Sequence, residues 1–384
     1  MNILGIYGAI GWDGNIPYIV ERMGNFWVHG SGATLIMNGK LKNAINEERF
    51  SRIKYDGTYP KLSIQHILDY NKLTNSDIDL VVYVCSSTEI NFALKQSTYI
   101  EKKLQEYFPN CKVEFLAHHL AHSAATFYTS GFKEANILSF DGAGDYEHPS
   151  EDSGKWLTPH FKFSIGQDTL SQDNKICEVH TEFCGNAPMH NSFGNLYDIC
   201  SLKTYNIKTK NVKDDHYVEQ SEQHSYPGKI MGLAAFGDYQ KVNLPEWFSL
   251  EKWENEFPQL QSNNADYSIM FARFNPDDLA AWMQHQFEKY LLLFLSNIPK
   301  KLKRDNLCLG GGCALNILAN SKIIEQGIYK NVHVNTAPND DGLHFGAALF
   351  MAAEYEKKIT LPDDIGYLGI TYTDEDIEEA LCVL

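Results

Sequence analysis

The sequence predicts an α/β fold made of two related lobes, with a ligand site between them. Strand-like and helix-like patterns alternate along most of the 384 residues. A hairpin-led unit opens the chain, and a strand that runs into a glycine turn starts a second unit near residue 133. Units of this kind bury their sheets under helices, and ligands bind in the crevice between them. We predict lobes at 1–133 and 134–365, followed by a C-terminal segment at 366–384.

The first lobe is predicted to begin with a strand at 3–10 and a β-hairpin at Asn38-Gly39. An Asn-Gly pair between two strand-like runs is the strongest short-range hairpin signal. The elements expected after it are, in order, a helix at 60–73, a strand at 80–85, a helix at 92–107, a strand at 113–116 and a helix at 118–128.

The second lobe begins with a predicted strand at 136–140. Residues 146–227 are rich in His, Asn, Asp and Tyr and are interpreted as irregular loops, with 210–226 either a mobile flap or an ordered insertion. Regular alternation then resumes, with a helix at 276–295, a strand at 307–310, a helix at 314–325, a strand at 331–334 and a helix from 341 onward.

Composition narrows the classes of function. A net charge of −16 argues against a protein that coats nucleic acid through a broad basic face, although a narrow channel for one flipped base stays possible. The apolar runs are too short to cross a bilayer, and the first residues lack a basic leader, so we expect a cytoplasmic protein without membrane contact. The eight cysteines form no CxxC pair and are interpreted as reduced thiols.

A histidine pair gives the sharpest chemical signal. His118 and His122 are four residues apart, so on a helix they project from one face and can reach one ion. Asp340 lies between a predicted strand and a predicted helix, where a carboxylate can point into a crevice and supply a third ligand. Two imidazoles and one carboxylate suit catalytic Fe(II) or Zn(II). A pair of histidines with this spacing can also be purely structural.

Glycine-rich turns predict a nucleotide site. Turns of this kind follow two of the predicted strands, and a further glycine pair flanks a lysine. Backbone N–H groups in such turns can approach a phosphate because no Cβ interferes. Neither the P-loop pattern nor the dinucleotide fingerprint is present. The residues concerned are Asp141, Gly142, Gly144, Lys229, Gly232, Gly310, Gly311 and Gly312.

His29 is the candidate catalytic residue, and His119 is the next candidate. The neighbours of His29 are Gly30, Ser31 and Gly32, whose small size leaves the imidazole room to face a ligand. Imidazole groups can accept a proton near neutral pH. The alternative is a structural histidine that braces the hairpin.

Seven segments resemble, in the same order, the NodU/CmcH family of O-carbamoyltransferases. They cover residues 1 to about 370 and read EERFSRIKYDGTYP, HHLAHSAATFYTSGF, ILSFDGAGD, NSFGNLYDIC, GKIMGLAAFGD, LCLGGGCALNILANSKI and NDDGLHFGAALFMA.

The resemblance implies an actin-like ATPase fold, related to the TsaD-type tRNA threonylcarbamoyl transferases, with the active site in the cleft between the lobes. It implies transfer of a carbamoyl group from carbamoyl adenylate, which derives from carbamoyl phosphate and ATP, to a hydroxyl. By the same resemblance, His118, His122 and Asp340 match the metal ligands, and His29 matches the histidine near the reacting carbamoyl. The glycine turns and Asn316 match the segments that hold the nucleotide.

Two departures from the family pattern affect these expectations. The family reads His-Asp before the hairpin, whereas Gly30 follows His29 here, after an insertion at about 11–27; we therefore expect a remodelled acceptor pocket. Family members also carry a YrdC-like domain that makes carbamoyl adenylate, and it would begin where this sequence stops. Either the sequence is truncated or a separate YrdC-like protein supplies the adenylate.

The acceptor stays open between two classes. A small molecule or sugar fits the acidic charge, whereas Trp12 and Trp27 in the insertion could stack a hydroxymethylated DNA base. A third possibility is an actin-fold protein that only binds nucleotide, or acts as a kinase. A kinase would need a set of magnesium-binding carboxylates rather than the HxxxH pair. A homodimer is possible.

Overall fold

One five-stranded β-sheet, called the first sheet, contains the first five strands of the chain. The computed structural model describes residues 1–10, 28–84, 97–142, 158–169, 173–184, 192–204, 225–251, 259–262, 273–357 and 359–383. The strand order is β3-β2-β1-β4-β5, in which β1–β2 and β2–β3 are antiparallel and β1–β4 and β4–β5 are parallel. The strands are β1 (Asn2–Tyr7), β2 (Gly32–Met37), β3 (Lys40–Asn46), β4 (Leu80–Val84) and β5 (Lys112–Leu116).

The predicted hairpin is confirmed. Asn38 and Gly39 connect β2 to β3, with φ angles of 50° and 70°. A two-residue turn between twisted antiparallel strands needs positive φ at both central positions, and Asn and Gly adopt it at low cost.

The second sheet repeats the plan of the first. Its order is β12-β11-β6-β7-β8, with β6–β7 and β7–β8 antiparallel and β11 parallel to both β6 and β12. In each sheet, therefore, three consecutive strands form an antiparallel meander. A later strand pairs in parallel with the first strand of the meander, and a further strand pairs in parallel with that one. The strands are β6 (Glu134–Phe140), β7 (Thr158–Thr169), β8 (Asp173–Cys184), β11 (Asn306–Gly310) and β12 (Asn331–Val334); a separate antiparallel pair is β9 (Phe248–Glu251) and β10 (Gln259–Ser262).

The interpretation of 146–227 as irregular loops is wrong for much of that segment. Strands β7 and β8 are 12 residues each and form a long antiparallel pair at the edge of the second sheet. The middle of β7 does show apolar alternation at Phe161, Phe163 and Ile165, but this run is short and polar residues are common in the rest of both strands, which obscured the strand pattern. Residues 210–224 of the predicted flap, and Trp12 and Trp27 of the insertion, lie outside the described residues.

The helices confirm the predicted alternation. Most begin or end within a few residues of the predicted bounds, and those in the described residues are α1 (Glu48–Ser51), α2 (Lys61–Tyr70), α3 (Ser97–Tyr107), α4 (His118–Thr129), α5 (Phe193–Thr204), α6 (Tyr226–Leu233), α7 (Pro276–Ser296), α8 (Ile317–Glu325), α9 (Leu343–Glu356) and α10 (Asp374–Val383). Within the described part of the chain, none of them has the length and apolar character needed to span a bilayer.

Two central helices lie between the sheets. Helix α4 packs on β6 and β11 of the second sheet, whereas α9 packs on β1, β2 and β4 of the first, although the predicted boundaries assign it to the second lobe. The two helices also pack on each other, so closely that a Cβ added at Gly346 would lie 1.9 Å from the backbone oxygen of Ala121. Only glycine permits this approach.

A buried histidine on α9 should make the stability of the protein depend on pH. The Nδ1 atom of His344 is 2.7 Å from Oγ1 of Thr34 on β2, and burial lowers the pKa of His344 from 6.5 to about 3. Below about pH 6.5 the unfolded chain binds a proton at His344 that the folded chain does not bind. As the pH is lowered further, this difference should reduce the free energy of unfolding by up to about 1.4 kcal/mol per pH unit.

Denaturant unfolding of the wild type and of His344→Gln at pH 7 and pH 5 measures this contribution. We expect the wild type to lose more stability between the two pH values than the variant does. An equal loss in both proteins would contradict the assignment of the pH dependence to His344.

Candidate metal centre

Helix α4 places the two predicted histidine ligands side by side. His118 and His122 lie in its first two turns and are 8% and 1% exposed. Their Nε2 atoms are 3.0 Å apart, as expected for side chains one helical turn apart that point to a common place. The prediction that His118 and His122 share one face is confirmed.

Two carboxylates complete the cluster, and both follow strands of the second sheet. Asp141 follows β6 directly, and its Oδ2 lies 3.1 Å from Nε2 of His122 and 3.7 Å from Nε2 of His118. Asp340 is in a short turn after β12, and its Oδ1 lies 3.5 Å and 3.6 Å from the same two atoms. One potential ligand atom from each of the four side chains lies within 4.8 Å of the others.

Both carboxylates favour the ionised state, although Asp340 is buried and Asp141 is partly buried. Burial raises the pKa of Asp141, but the hydrogen bonds and positive charges of His118 and His122 hold that pKa well below its usual value. Burial also raises the pKa of Asp340, and the charges of His29 and His118 together with the hydrogen bond from His122 lower it overall. An anionic pair, one member buried and the other partly buried, that faces two imidazoles is an environment that favours a cation.

Tyr7 and His29 surround the second oxygen of Asp340. The hydroxyl of Tyr7, the last residue of β1, donates a hydrogen bond of 3.0 Å to Asp340 Oδ2. His29 Nδ1 is 3.7 Å from the same oxygen, and the side chain of His29 is 24% exposed. His29 therefore lies at the rim of the cluster, in contact with both Asp340 and solvent.

The glycine after His29 makes room for another carboxylate. Gly30 has a φ of +72°, and a Cβ built on it would lie 2.3 Å from Oδ1 of Asp341. Asp341 accepts a hydrogen bond of 2.9 Å from Asn339, and burial raises the pKa of Asp341. The space that an aspartate at position 30 would occupy is thus taken by the carboxylate of Asp341.

Two of the predicted glycine turns meet at Asp141. The Oδ1 atom of Asp141 accepts a 2.7 Å hydrogen bond from the N–H of Gly142, and its Oδ2 accepts one of 3.1 Å from the N–H of Gly312. Gly311 has a φ of +89°, and a Cβ on it would lie 2.2 Å from the carbonyl oxygen of Phe140. Glycine is required there because the two strand ends touch through their backbones.

The structure does not bring the other predicted residues to this cluster. His119 turns away, with Nδ1 2.7 Å from Oγ of Ser139 on β6. The side chain of Asn316 caps α8 through a 3.0 Å hydrogen bond from Ala319 N–H and pairs with Gln284 through two of 2.9 Å. Lys229 and Gly232 are exposed on α6, which packs on α5 and α7.

Gly144 lies outside the described residues, so its place relative to the cluster is not given by the structure.

Sequence reasoning missed the positions of two residues. Asp141 was expected to hold a nucleotide, although its position after a buried strand resembles that of Asp340 and could have indicated a ligand. Tyr7 carried no signal, because its contact with Asp340 joins residues 333 positions apart.

The cluster could hold a metal ion. It offers two imidazole nitrogens and two carboxylate oxygens, which are ordinary metal ligands in proteins. Its two histidine Nε2 atoms approach to 3.0 Å inside the protein, a contact that either a shared proton or a cation between them would relieve.

Comparison with known proteins identifies relatives along nearly all of the chain. The family model described as the carbamoyltransferase N-terminus matches residues 22–112 and 106–349. An uncharacterised protein of Synechocystis is 28% identical, with 92% of this chain and 61% of that protein covered. The nodulation protein NolNO of Sinorhizobium fredii is 26% identical, with 90% and 50% covered.

A solved structure has a fold similar to that of this chain. HypF of T. kodakarensis superposes with a TM-score of 0.50 at 12% sequence identity, over 94% of this chain and 48% of that one. This chain thus spans about half to three fifths of the length of these relatives. The family model covers most of the chain, which confirms the resemblance seen in its motifs: the chain belongs to the carbamoyltransferase family, over the part that the N-terminal model describes.

Proposed function

We propose that this chain is the transferase half of an O-carbamoyltransferase, which moves a carbamoyl group from carbamoyl adenylate to a hydroxyl. The observation that carries the proposal is the cluster of His118, His122, Asp141 and Asp340, formed between two sheets of the same plan in a chain of this family. The alternative, an actin-fold protein that only binds nucleotide or phosphorylates a substrate, provides no use for the buried histidine pair.

The fold is proposed to be actin-like, with the active site in the cleft between its lobes. The shared strand order of the two sheets supports two related lobes. The cluster lies at the carboxyl ends of strands from both sheets, where α/β folds generally bind ligands.

His118, His122, Asp141 and Asp340 are proposed to hold one divalent Fe(II) or Zn(II) ion. Such an ion supplies Lewis-acid polarisation of a carbamoyl or phosphate oxygen. Tyr7 keeps the Asp340 carboxylate oriented by donating to Oδ2, while Oδ1 faces the histidines. The N–H of Gly312 orients the Asp141 carboxylate, because it donates a hydrogen bond to Oδ2, the oxygen that also approaches His122.

His29 is proposed as the general base. The acceptor hydroxyl attacks the carbamoyl carbon, the bond between the carbamoyl group and the adenylate phosphate breaks, and AMP leaves. His29 lies at the exposed rim of the cluster, so a hydroxyl entering from solvent can give its proton to the imidazole as the new C–O bond forms.

The nucleotide part of the donor is proposed to lie along the joined glycine turns. Gly142 and Gly310–Gly312 lie together at the ends of β6 and β11, where the N–H groups of Gly142 and Gly312 donate to Asp141 and that of Gly311 donates to the carbonyl oxygen of Pro338. Positions without Cβ atoms let a phosphate approach the turns closely. Asn316 supports this segment from behind, because its amide is already engaged by Gln284 and by the first turn of α8.

The acceptor is proposed to be a hydroxyl on a small molecule or sugar, with a hydroxymethylated DNA base as the second candidate. The net charge of −16 favours the first, since a DNA substrate needs cationic surface along its backbone. Mass spectrometry of candidate acceptors incubated with the protein and carbamoyl adenylate tests the proposal. A gain of one carbamoyl group on a hydroxyl supports it. In a parallel incubation with ATP in place of carbamoyl adenylate, release of ADP with a phosphorylated product would support a kinase.

We expect the chain to need an activated donor from elsewhere. Forming an adenylate from ATP and transferring its carbamoyl group are separate reactions, and the proposed centre serves the second. With carbamoyl phosphate and ATP alone, turnover should be slow or absent, and preformed carbamoyl adenylate or an added YrdC-like protein should restore it. Full activity with carbamoyl phosphate and ATP alone would contradict this division of labour.

A further inference from the structure

The C-terminal helix α10 has no protein surface packed against it in the described structure. Every residue from Asp374 to Cys382 is exposed, and Ile377 and Leu381 are 49% and 64% exposed. Its start is fixed locally, since Thr373 and Asp376 exchange hydrogen bonds through their side chains and backbone N–H groups. A single helix of ten residues is marginal in water, so a partner surface would add most of its stability.

Helix α10 is amphipathic and strongly acidic. Ile377, Ala380 and Leu381 share one face because residues three and four apart are neighbours on a helix. Asp374 and Glu378 flank this face, while Glu375 and Glu379 lie on the opposite side. The helix contains no basic residue, so a surface that covers its apolar face must be apolar with a basic rim.

A cleft of that chemistry lies on the second lobe, at the amino ends of β11 and β12. Its volume is about 530 Å³, and Ile324, Ile328 and Tyr329 supply apolar lining. Ile324 is 58% exposed although it is apolar. The proposed metal centre lies at the carboxyl ends of strands in the same sheet. The cleft therefore lies at the opposite ends of these strands.

The rim of the cleft is basic. Lys303 and Lys330 line it, and neither makes an ion pair within the part of the chain that the structure describes. The ammonium of Lys303 lies over the ring of Tyr329, 5.0 Å from its centre, and partial burial lowers the pKa of Lys303. Arg304 is paired with Glu134, and Asp305 adds one carboxylate to the lining.

More cations surround this edge of the sheet. In the sequence, Lys300, Lys301 and Lys133 lie just before β11 and β6. A local excess of positive charge stands out in a chain whose net charge is −16.

We infer that the chain associates with itself, helix α10 of one copy binding in the basic cleft of another. The apolar face of α10 would cover Ile324 and Ile328, and its flanking carboxylates would meet Lys303 and Lys330. In its own copy, α10 follows a segment that pairs with β3 of the first sheet, so it extends from a different lobe than the one that holds the cleft. The inference does not depend on the metal centre.

The experiment compares oligomeric state by sedimentation for the wild type and two charge-reversed variants. One is Asp374→Lys/Glu378→Lys on the helix, and the other is Lys303→Glu/Lys330→Glu in the cleft. We expect the wild type to sediment as at least twice the chain mass of 43.6 kDa. Each variant alone should associate at least about tenfold more weakly, because like charges then face each other.

Mixing the two variants is the decisive step. A reversed helix then meets a reversed cleft, and a normal helix meets a normal cleft, so association should return. Glu375→Lys/Glu379→Lys is the matched control, with the same change in charge on the opposite face of the helix, and should associate like the wild type. Ile377→Asp tests the apolar contact without altering the cleft, and should weaken association as well.

A wild type that is monomeric at all accessible concentrations would overturn the inference. So would wild-type association in both charge-reversed variants, or failure of their mixture to associate. Helix α10 is exposed along its length, so loss of association in its variants would not arise from a damaged core.

Discussion

Alanine at His118, His122 or Asp340 should remove the metal ion and abolish carbamoyl transfer. We expect the purified wild type to hold about one divalent transition metal ion per chain. Each variant should lower the affinity for that ion by more than about 100-fold, which exceeds the usual effect of removing a residue that only hydrogen-bonds to a metal ligand. His122 has the strongest expected effect because it is 1% exposed and its Nε2 lies within 3.5 Å of both carboxylates. Elemental analysis together with transfer assays provides the measurement.

The neighbouring histidine offers a matched control for the metal experiment. His119 is on the same helix and equally buried, but its ring faces Ser139. His119→Asn should therefore retain the metal ion. Normal metal content in the other three variants would show that the cluster is a structural hydrogen-bond network.

His29→Asn should slow transfer by at least about 100-fold, the lower end of what a general base contributes. Asparagine keeps the size and one hydrogen-bonding atom of histidine but cannot take a proton from the acceptor. The structural reason is the position of His29, which is partly exposed and 3.7 Å from Asp340. Single-turnover transfer from preformed carbamoyl adenylate measures the effect on the chemical step.

Three further measurements separate a base from a scaffold residue. The His29→Asn variant should unfold at the same denaturant concentration as the wild type, keep its metal ion and bind carbamoyl adenylate with similar affinity. His66→Asn, at an exposed histidine stacked on Phe50 in the first lobe, serves as the control and should transfer normally. Near-normal turnover of His29→Asn would leave this histidine with a bracing role only.

Local patterns predicted the part of the site that depends on local geometry. The spacing of His118 and His122 determines their common face once the helix forms, and Asp340 was identifiable as a carboxylate between a strand and a helix. The hairpin at Asn38-Gly39 was predictable for the same reason, since its turn requires two residues that accept positive φ.

Contacts between distant segments were not predictable in this way. No periodicity links Tyr7 to Asp340. The position of Asp141 after a buried strand suits a ligand, but its glycine neighbours favoured a nucleotide site over a contact with two histidines. The pair β7 and β8 was missed because its residues are largely polar. His119 was a reasonable candidate by composition, but the turn of the helix directs it to β6.

The position of the ligands along the chain has a consequence for biosynthesis. Every strand of the second sheet lies between His122 and Asp340 in the sequence, and Asp141 directly follows the first of those strands. A nascent chain that still lacks Asp340 can present the histidines but cannot close the cluster. If the cluster holds the proposed ion, tight capture of that ion has to follow synthesis and folding of the whole second sheet, and a bound ion would then mark completed folding.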